Sequence, residues 1–207
     1  MTVRLVLASA SPARLSVLRA AGLAPEVEVS AVDEDALLAG LSGASPGETV
    51  TALAGAKATA VARRVAGRLP DAVVVGCDSM LHIDGELVGK PRDATTARAR
   101  WAAMAGGTGE LVTGHTVLRL DGGEIDRVAE GHAVTTVRFG RPDPAELDAY
   151  VTTGEPLAVA GAFTLDGLGG WFVDGIDGDP SNVIGISLPL TRRLLAGVGV
   201  RVTDLWR

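Results

Sequence analysis

The sequence is poor in cysteine and in aromatic residues. Of its 207 residues only Cys77 is a cysteine, and 3% are Phe, Trp or Tyr. A single cysteine excludes an intrachain disulfide and a thiolate metal cage, so the cytosol is the expected compartment. The apolar fraction of 47% contains much Ala, Val and Leu. This composition favours parallel strands that are covered by helices of small residues.

Long apolar runs and basic runs are also missing. No window reaches the roughly 18 consecutive apolar residues of a membrane span, and the short run after Arg4 is typical of a strand, not of a secretory signal. The formal net charge is −6, whereas proteins that grip nucleic acid present a basic face. We therefore expect no membrane and no long nucleic acid as partners. A small anionic ligand, held by a few converging cations, remains compatible with this balance.

The length and the apolar pattern predict one domain over residues 1–207, with an α/β fold. Predicted strands lie near 3–8, 26–30, 72–76, 81–83, 86–88, 110–120, 124–139 and 171–176, with a short one in 200–207. Predicted helices lie near 12–21, 49–67, 93–104, 142–153 and 187–196. Residues 40–48 are rich in Gly, Ser and Pro and are predicted to be a connection. Alternating strands and helices with one long hairpin predict a mixed sheet with flanking helices.

The first predicted strand leads directly into a turn suited to a phosphate. Ser9, Ser11, Pro12 and Arg14 follow the apolar run. Ser11 is a good N-cap and Pro12 suits the first helical position. Such a turn would direct backbone N–H groups, two hydroxyls and a guanidinium to one spot, which binds anions. The alternative is that Ser11 and Pro12 only cap the helix.

Three further polar clusters lie near predicted strand ends, where open α/β sheets bind ligands. They are the acidic run 33–35, the pair 78–79, and Lys90 with Arg92; the long helix adds Lys57. Cations and N–H groups neutralise phosphates, while carboxylates hold a divalent metal and one of them can activate water. Because Mg²⁺ binds through one or two carboxylates plus substrate oxygens, these clusters predict a site that binds and cleaves a polyphosphate.

Each cluster also has a plainer explanation. The run 33–35 can be a solvated turn, Lys57 a surface lysine and Cys77 a small buried strand residue. Asp78 is harder to explain in this way, because it ends a buried apolar strand and an unpaired buried carboxylate is costly. The histidines lack metal-ligand spacing and are interpreted as structural or exposed: His82, His115 and His132.

Taken together, these segments resemble the Maf-like nucleoside triphosphate pyrophosphatases, once described as septum-formation inhibitors. The segments that carry the resemblance occur in family order over nearly the whole chain: LASASPAR at 7–14, VDE at 32–34, AKA at 56–58, GCDS at 76–79, GKP at 89–91, TGH at 113–115, GEP at 154–156, AGAF at 160–163 and NVIG at 182–185. The resemblance implies a bilobed fold with a central cleft, similar to that of the inosine triphosphatases. Because members are often dimers, a homodimer is a partner to test.

The resemblance also implies a reaction. Family members hydrolyse the bond between the α and β phosphates of a nucleoside triphosphate, releasing a monophosphate and pyrophosphate, with Mg²⁺ or Mn²⁺ as cofactor. Asp78 would be the essential carboxylate, as general base or as metal ligand, and Glu34 would help to hold the metal or its water. The remaining implied site residues bind the triphosphate or stabilise the departing pyrophosphate: Ser9, Ser11, Arg14, Lys57, Ser79, Lys90 and Asp166.

Three positions depart from the family pattern. Ala13 stands where many members carry a further arginine, and Ser79 stands where threonine or glutamine is common. In the Gly-rich loop at residues 161–170 this chain offers Asp166 where other members present Gln or Glu to the base. Since unpaired buried polar groups reject wrong substrates strongly, the preferred base does not transfer from relatives. Asp166 could accept a hydrogen bond from a guanine edge, and modified nucleotides stay open as substrates.

Two other functions use the same residues. The older family name and the missing arginine at position 13 motivate a second hypothesis, a regulator of cell division that binds a nucleotide or a division-machinery partner without catalysis. A nucleotidyltransferase would share the chemistry at the α phosphate, but would form product only with a second acceptor. For the pyrophosphatase, removal of unwanted nucleotides from the cellular pool and control of division both stay open as the cellular purpose.

Overall fold

The fold is described by a computed structural model that covers residues 3–207. The strands in this range are β1 (Arg4–Ala8), β2 (Glu26–Val27), β3 (Ala72–Ile83), β4 (Glu86–Val88), β5 (Thr108–Asp121), β6 (Glu124–Phe139) and β7 (Val173–Asp177). The α-helices are α1 (Pro12–Ala20), α2 (Glu34–Ala39), α3 (Pro46–Val65), α4 (Ala94–Met104), α5 (Pro144–Thr152), α6 (Pro180–Ile184) and α7 (Leu188–Gly197). Short 3₁₀ turns occupy Glu155–Ala158, Ala160–Ala162, Leu168–Phe172 and Val202–Leu205. Within the described chain, no helix combines the length and the apolar character that crossing a membrane requires.

The strands form a mixed sheet. Their order is β2-β1-β3-β5-β6-β7, and β4 pairs with β3. Strand β1 is parallel to β2 and to β3, whereas β4 is antiparallel to β3 and β7 is antiparallel to β6. This confirms the predicted α/β class with a mixed sheet and flanking helices.

The described chain divides into two compact units. The first contains the described part of Met1–Asp78 together with Thr113–Ala133 and Gly185–Arg207, and the second contains Ser79–Val112 and Val134–Ile184. Strands β3, β5 and β6 therefore contribute residues to both units. The assignment of residues 1–207 to one domain, and the central cleft, stay predictions.

The first unit has an aliphatic core on both faces of its strands. Successive side chains of a strand point to opposite faces, and in 72–77 they alternate between two clusters. Val73, Val75 and Cys77 pack with residues of α7, while Ala72 and Val74 pack with residues of α3. Because both faces of this part of β3 are buried, residues 72–77 form a continuous apolar run in the sequence.

Helix α3 approaches β3 closely at Gly76. A Cβ atom at this position would lie 2.5 Å from the carbonyl oxygen of Ala54, a distance that no side chain tolerates. The glycine therefore permits the contact between helix and strand. One turn along α3 from Ala54 is Lys57, and two residues along β3 from Gly76 is Asp78, so this contact brings the two charged side chains within reach of each other.

The second unit has an aromatic core. Trp101 of α4 is fully buried and makes edge-to-face contacts with Phe139, Tyr150 and Phe172 at ring-centroid distances of 5.9, 6.1 and 5.8 Å. Its indole Nε1 donates a hydrogen bond of 2.8 Å to the carbonyl oxygen of Ala162. The aromatic packing and this bond connect α4 and α5 to the Gly-rich part of the unit.

Several predicted boundaries were wrong. Strand β3 does not end before Asp78 but continues to Ile83. The Asp78 carboxylate is paired with Lys57, and Leu81 is buried in the core. Helix α3 begins at Pro46 within the predicted connection, since Ser45 and Glu48 form a reciprocal capping box. The segment 180–184 is a short helix, and the predicted terminal strand is mostly the 3₁₀ turn Val202–Leu205.

Candidate active site

Three hydrogen-bond acceptors from different segments hold the Arg14 guanidinium in one orientation. Arg14 Nη1 donates to the Ser9 hydroxyl at 3.1 Å and to the carbonyl oxygen of Cys77 at 2.9 Å, while its Nε donates to the carbonyl oxygen of Gly185 at 2.7 Å. The Ser11 hydroxyl accepts from the Arg14 amide at 3.4 Å, as predicted for the N-cap of α1. Ser9 and Arg14 therefore lie together, on the segment where the sequence placed an anion site.

Lys57 forms a buried ion pair with Asp78. Lys57 Nζ lies 2.6 Å from Asp78 Oδ1 and 2.8 Å from Glu34 Oε1. The residues Lys57 and Asp78 are only 8% and 7% exposed. The plainer explanation of Lys57 as a surface lysine is therefore wrong, and the partner that Asp78 required is this ammonium group.

Glu34 reaches Lys57 from the first turn of α2. The acidic run 33–35 begins this helix, and Asp33 is its N-cap, with Oδ1 accepting from the Ala36 amide at 3.0 Å. Glu34 itself is exposed. The acidic run is therefore the start of a helix and not a solvated turn. The Asp33 cap fixes this start, from which Glu34 contacts the buried Lys57.

The environment of Asp78 disfavours its charged form. Burial raises the pKa of the Asp78 carboxyl above its ordinary value, while Lys57 and Arg14 act in the opposite direction. The neighbouring carboxylate of Glu34 adds to the rise. A carboxylate of this kind accepts a proton more readily than an exposed aspartate does, which suits a general base.

Cys77 lies next to Asp78, and its thiol is unreactive. Burial raises the pKa of its thiol to about 11, so the thiol is protonated at neutral pH and is not a nucleophile. Its side chain belongs to the aliphatic core, as expected for a small buried strand residue. Only its backbone carbonyl takes part in the site, as an acceptor for Arg14.

The two carboxylates suit a divalent cation. Asp78 Oδ1 and Glu34 Oε1 both lie within 3 Å of the same Lys57 nitrogen, at 2.6 and 2.8 Å, so both can reach one cationic centre. Among residues 3–207 there is no group of three or more His, Cys, Asp and Glu side chains suited to a metal. Mg²⁺ needs only one or two carboxylates when phosphate oxygens supply other ligands, so the residues present fit such an ion.

Three of the predicted site residues belong to the second unit. Lys90 is exposed after β4, and its neighbour Gly89 is held through its carbonyl oxygen by the Gly161 amide at 3.2 Å and by Arg100 Nη1 at 2.6 Å. Asp166 is exposed in a bend of the Gly-rich loop, and Ser79 is half-buried in β3. Their membership of one site with Asp78 stays a prediction.

Glu155 organises the loop that carries Asp166, a role that the sequence interpretation missed. Its carboxylate accepts hydrogen bonds from the Thr164 hydroxyl and from the amides of Leu168 and Gly169 at 3.1 and 3.0 Å. Burial favours the protonated acid, but the hydrogen bonds outweigh it and lower the pKa of Glu155. The sequence did contain a signal for this role. Glu155 is an isolated acid shortly before a Gly-rich segment, whose backbone amides need hydrogen-bond acceptors.

The sequence is similar to proteins of one family. The family model described as Maf-like protein matches residues 4–198. A nucleoside triphosphate pyrophosphatase of Saccharopolyspora erythraea is 64% identical over 205 residues, covering 99% of this chain and 97% of the relative. Proteins of the same name from Nocardia farcinica and Rhodococcus erythropolis are 64% and 60% identical, covering 100% and 99% of this chain and 98% and 97% of their own lengths. The chain therefore belongs to the Maf-like protein family.

Proposed function

We propose that this protein is a nucleoside triphosphate pyrophosphatase, which hydrolyses the bond between the α and β phosphates and releases a nucleoside monophosphate and pyrophosphate. The observation that carries the proposal is the buried Lys57–Asp78 pair with Glu34 at its edge. The name shared by relatives at 60–64% identity supports the same activity.

The roles proposed for the first unit follow from charge and orientation. Arg14 and the Ser9 and Ser11 hydroxyls bind phosphate oxygens, because a guanidinium and a helix N-terminus both favour oxyanions. Lys57 neutralises the triphosphate. Asp78 accepts a proton from the attacking water, as a general base does.

The second unit contributes the remaining proposed contacts. Lys90 stabilises the charge that develops on the departing pyrophosphate, together with Arg14. Ser79 contacts the substrate next to Asp78, and Asp166 contacts the base. Because Asp166 is acidic and exposed in its loop, a base that offers hydrogen-bond donors is favoured, and guanine has such an edge.

We further propose that the activity depends on Mg²⁺ or Mn²⁺, held by Asp78 and Glu34. A divalent cation supplies charge neutralisation and makes the phosphorus more electrophilic. Since Lys57 Nζ lies between the two carboxylates, it competes with such a cation for them. Electron paramagnetic resonance of Mn²⁺ without nucleotide tests this. We expect tighter binding to Lys57→Met than to the wild type and weaker binding to Asp78→Asn; equal binding to all three contradicts this ligand set.

A pyrophosphate assay tests the function directly. Purified protein is incubated with Mg²⁺ or Mn²⁺ and a panel of standard and methylated nucleoside triphosphates, and pyrophosphate and monophosphate are both quantified. We expect pyrophosphate and monophosphate in equal amounts, and we expect EDTA to stop their formation. Nucleotide binding without turnover would favour the regulator of cell division, for which Ala13 is the specific observation. Product that forms only with an added acceptor would favour the nucleotidyltransferase.

The cellular setting follows from the same proposal. We place the enzyme in the cytosol, as a homodimer, where it removes unwanted nucleotides from the pool. Fractionation of the source cells and light scattering of the purified protein test the location and the assembly. A kcat/KM that is higher for modified than for standard nucleotides would support pool cleaning over control of division.

A further inference from the structure

The turn that receives Arg14 is itself held by a buried histidine. Arg14 Nε donates to the Gly185 carbonyl oxygen at 2.7 Å. Two residues later the amide of Ser187 donates to His115 Nε2 at 2.8 Å, and His115 Nδ1 lies 3.0 Å from the carbonyl oxygen of Thr113. All of these residues belong to the first unit. His115 of β5 and the Arg14 guanidinium thus bind neighbouring peptide groups of the turn 185–187, which the covalent backbone joins.

The protonation state of His115 is fixed by these two partners. A backbone amide can only donate, so Nε2 must accept from Ser187. A carbonyl oxygen can only accept, so Nδ1 must carry the proton that it donates to Thr113. His115 is completely buried, and this neutral tautomer is the only form that satisfies both bonds at once.

The chain is fixed directly after Gly185, whereas Gly185 itself is a permissive residue. Gly185 has φ +116°, a backbone conformation that side-chain-bearing residues rarely adopt. Ile186 is fully buried in the aliphatic core, and Ser187 caps α7 with its hydroxyl accepting from the Leu190 amide at 3.2 Å. Because a glycine changes its backbone angles readily, the bond from Ser187 to His115 is a restraint on the direction of the peptide groups at 185–187.

We propose that His115 is a positioning residue for Arg14, which sets the place of the guanidinium through the Ser187 amide and the Gly185 carbonyl. This inference rests on the proposed function, in which Arg14 binds the phosphates. Loss of the acceptor at Nε2 allows the turn to relax and the guanidinium to move. A displaced guanidinium binds phosphate less tightly, because charge-assisted hydrogen bonds depend on geometry.

Two variants separate the two bonds of the imidazole. His115→Gln places an amide oxygen near the position of Nε2 and keeps an acceptor for Ser187. His115→Asn keeps a donor near Nδ1 for Thr113 but is too short to reach Ser187. Calorimetry with the non-hydrolysable α,β-methylene analogues of the four ribonucleoside triphosphates measures Kd. We expect roughly tenfold weaker binding for Asn and near wild-type binding for Gln.

Loss of stability alone must be distinguished from positioning. Leu118→Ala, in the aliphatic core of the same unit, serves as the control, with melting temperatures measured for every variant. It should lower Tm without changing Kd. Equal Kd values for His115→Asn, His115→Gln and Leu118→Ala, at lowered Tm, would show that His115 only stabilises the fold and would overturn the inference.

A double-mutant cycle with Arg14→Met tests the route. If His115 acts through Arg14, His115→Asn weakens binding in the wild-type background but has no further effect in Arg14→Met. Additive losses would overturn the inference. Unchanged Kd in Arg14→Met itself would instead contradict the proposed function of Arg14, so the two failures remain distinguishable.

Discussion

The two units differ in the aromatic and charged side chains that they bury. The core of the first is aliphatic and encloses a lysine and an aspartate, Lys57 and Asp78. The core of the second contains aromatic rings and no charged residue, while its candidate functional groups, Lys90 and Asp166, are exposed. All three phenylalanines and the only tyrosine belong to this second core and its edge, so the low aromatic content of the chain is concentrated in one unit.

The two units also differ in the elements that carry their candidate functional groups. In the first, Arg14, Lys57 and Asp78 project from α1, α3 and β3, elements that regular hydrogen bonding and close packing hold rigid. Sites built on such elements are more precise than sites built on loops. In the second, Lys90 and Asp166 stand on turns that backbone hydrogen bonds and Glu155 brace. We therefore expect the attack by water to depend on the first unit. We expect base preference to depend on Asp166 of the second unit, and stabilisation of the departing pyrophosphate to depend partly on its Lys90.

The largest effect should come from Asp78. Replacing its carboxylate by a neutral amide of the same shape removes the proposed base and the partner of Lys57. We expect Asp78→Asn to lower kcat by about 10²–10⁴-fold, the range for loss of a general acid or base. Pyrophosphate release under saturating nucleotide measures this change.

Asp71 provides the matched control for Asp78. It also lies in the first unit, directly before β3, and pairs with Arg119. Asp71→Asn removes the same charge and should leave kcat within twofold of the wild type, since Asp71 lies at the other end of the apolar segment 72–77 from Asp78, about 20 Å away along the strand. Near-normal turnover in Asp78→Asn would show that Asp78 is not the general base. It would also contradict the expectation that the two units have different functions.

The next largest effect concerns the aromatic core. Trp101 is fully buried among three rings, so Trp101→Ala leaves a large cavity and should reduce the free energy of unfolding by about 3–5 kcal/mol. Trp171, in the same unit, is 86% exposed. Trp171→Ala should therefore change stability by less than about 0.5 kcal/mol. Urea unfolding followed by circular dichroism compares the two, and equal losses would contradict an aromatic core centred on Trp101.

How far the sequence predicted these features depended on the range of the interactions. The turn at Ser9–Arg14 and the buried strand at 72–76 were predicted correctly, because local hydrogen bonding and apolar pattern determine them. The partnership of Lys57 with Asp78 was not, since it requires α3 to lie against Gly76, a long-range contact without a local signal. The role of Glu155 likewise depends on amides that come close only after the loop has folded.

A smaller effect is expected from Glu155 in the second unit. Glu155→Gln weakens three accepted hydrogen bonds and should reduce the free energy of unfolding by about 1–3 kcal/mol at neutral pH. The folded-state pKa is lowered, so the contribution of the carboxylate is complete above the unfolded-state pKa and is lost as pH falls through the folded-state value.

The pH dependence gives this prediction its control. The stability difference between the wild type and Glu155→Gln should shrink as the pH is lowered below about 4.5, the ordinary glutamate value. Glu86→Gln, at an exposed position of the same unit, should change stability by less than about 0.5 kcal/mol at any pH. A difference for Glu155→Gln that stays constant into acid would mean that its charge does not brace the loop.

The smallest effect, and the most direct probe of rigidity in the first unit, is the reaction of Cys77 with a thiol reagent. Burial raises the pKa of the thiol to about 11, so at pH 8 only about one molecule in a thousand carries the reactive thiolate. Native protein should therefore resist Ellman's reagent for as long as it stays folded, and guanidinium should release one thiol for each chain. Val29→Cys, at an exposed position of the same unit, supplies a second thiol that should react at once. Rapid reaction of Cys77 in the native protein would mean that β3 opens beside Asp78, and a strand that opens there could not hold the carboxylate still enough for the chemistry assigned to it.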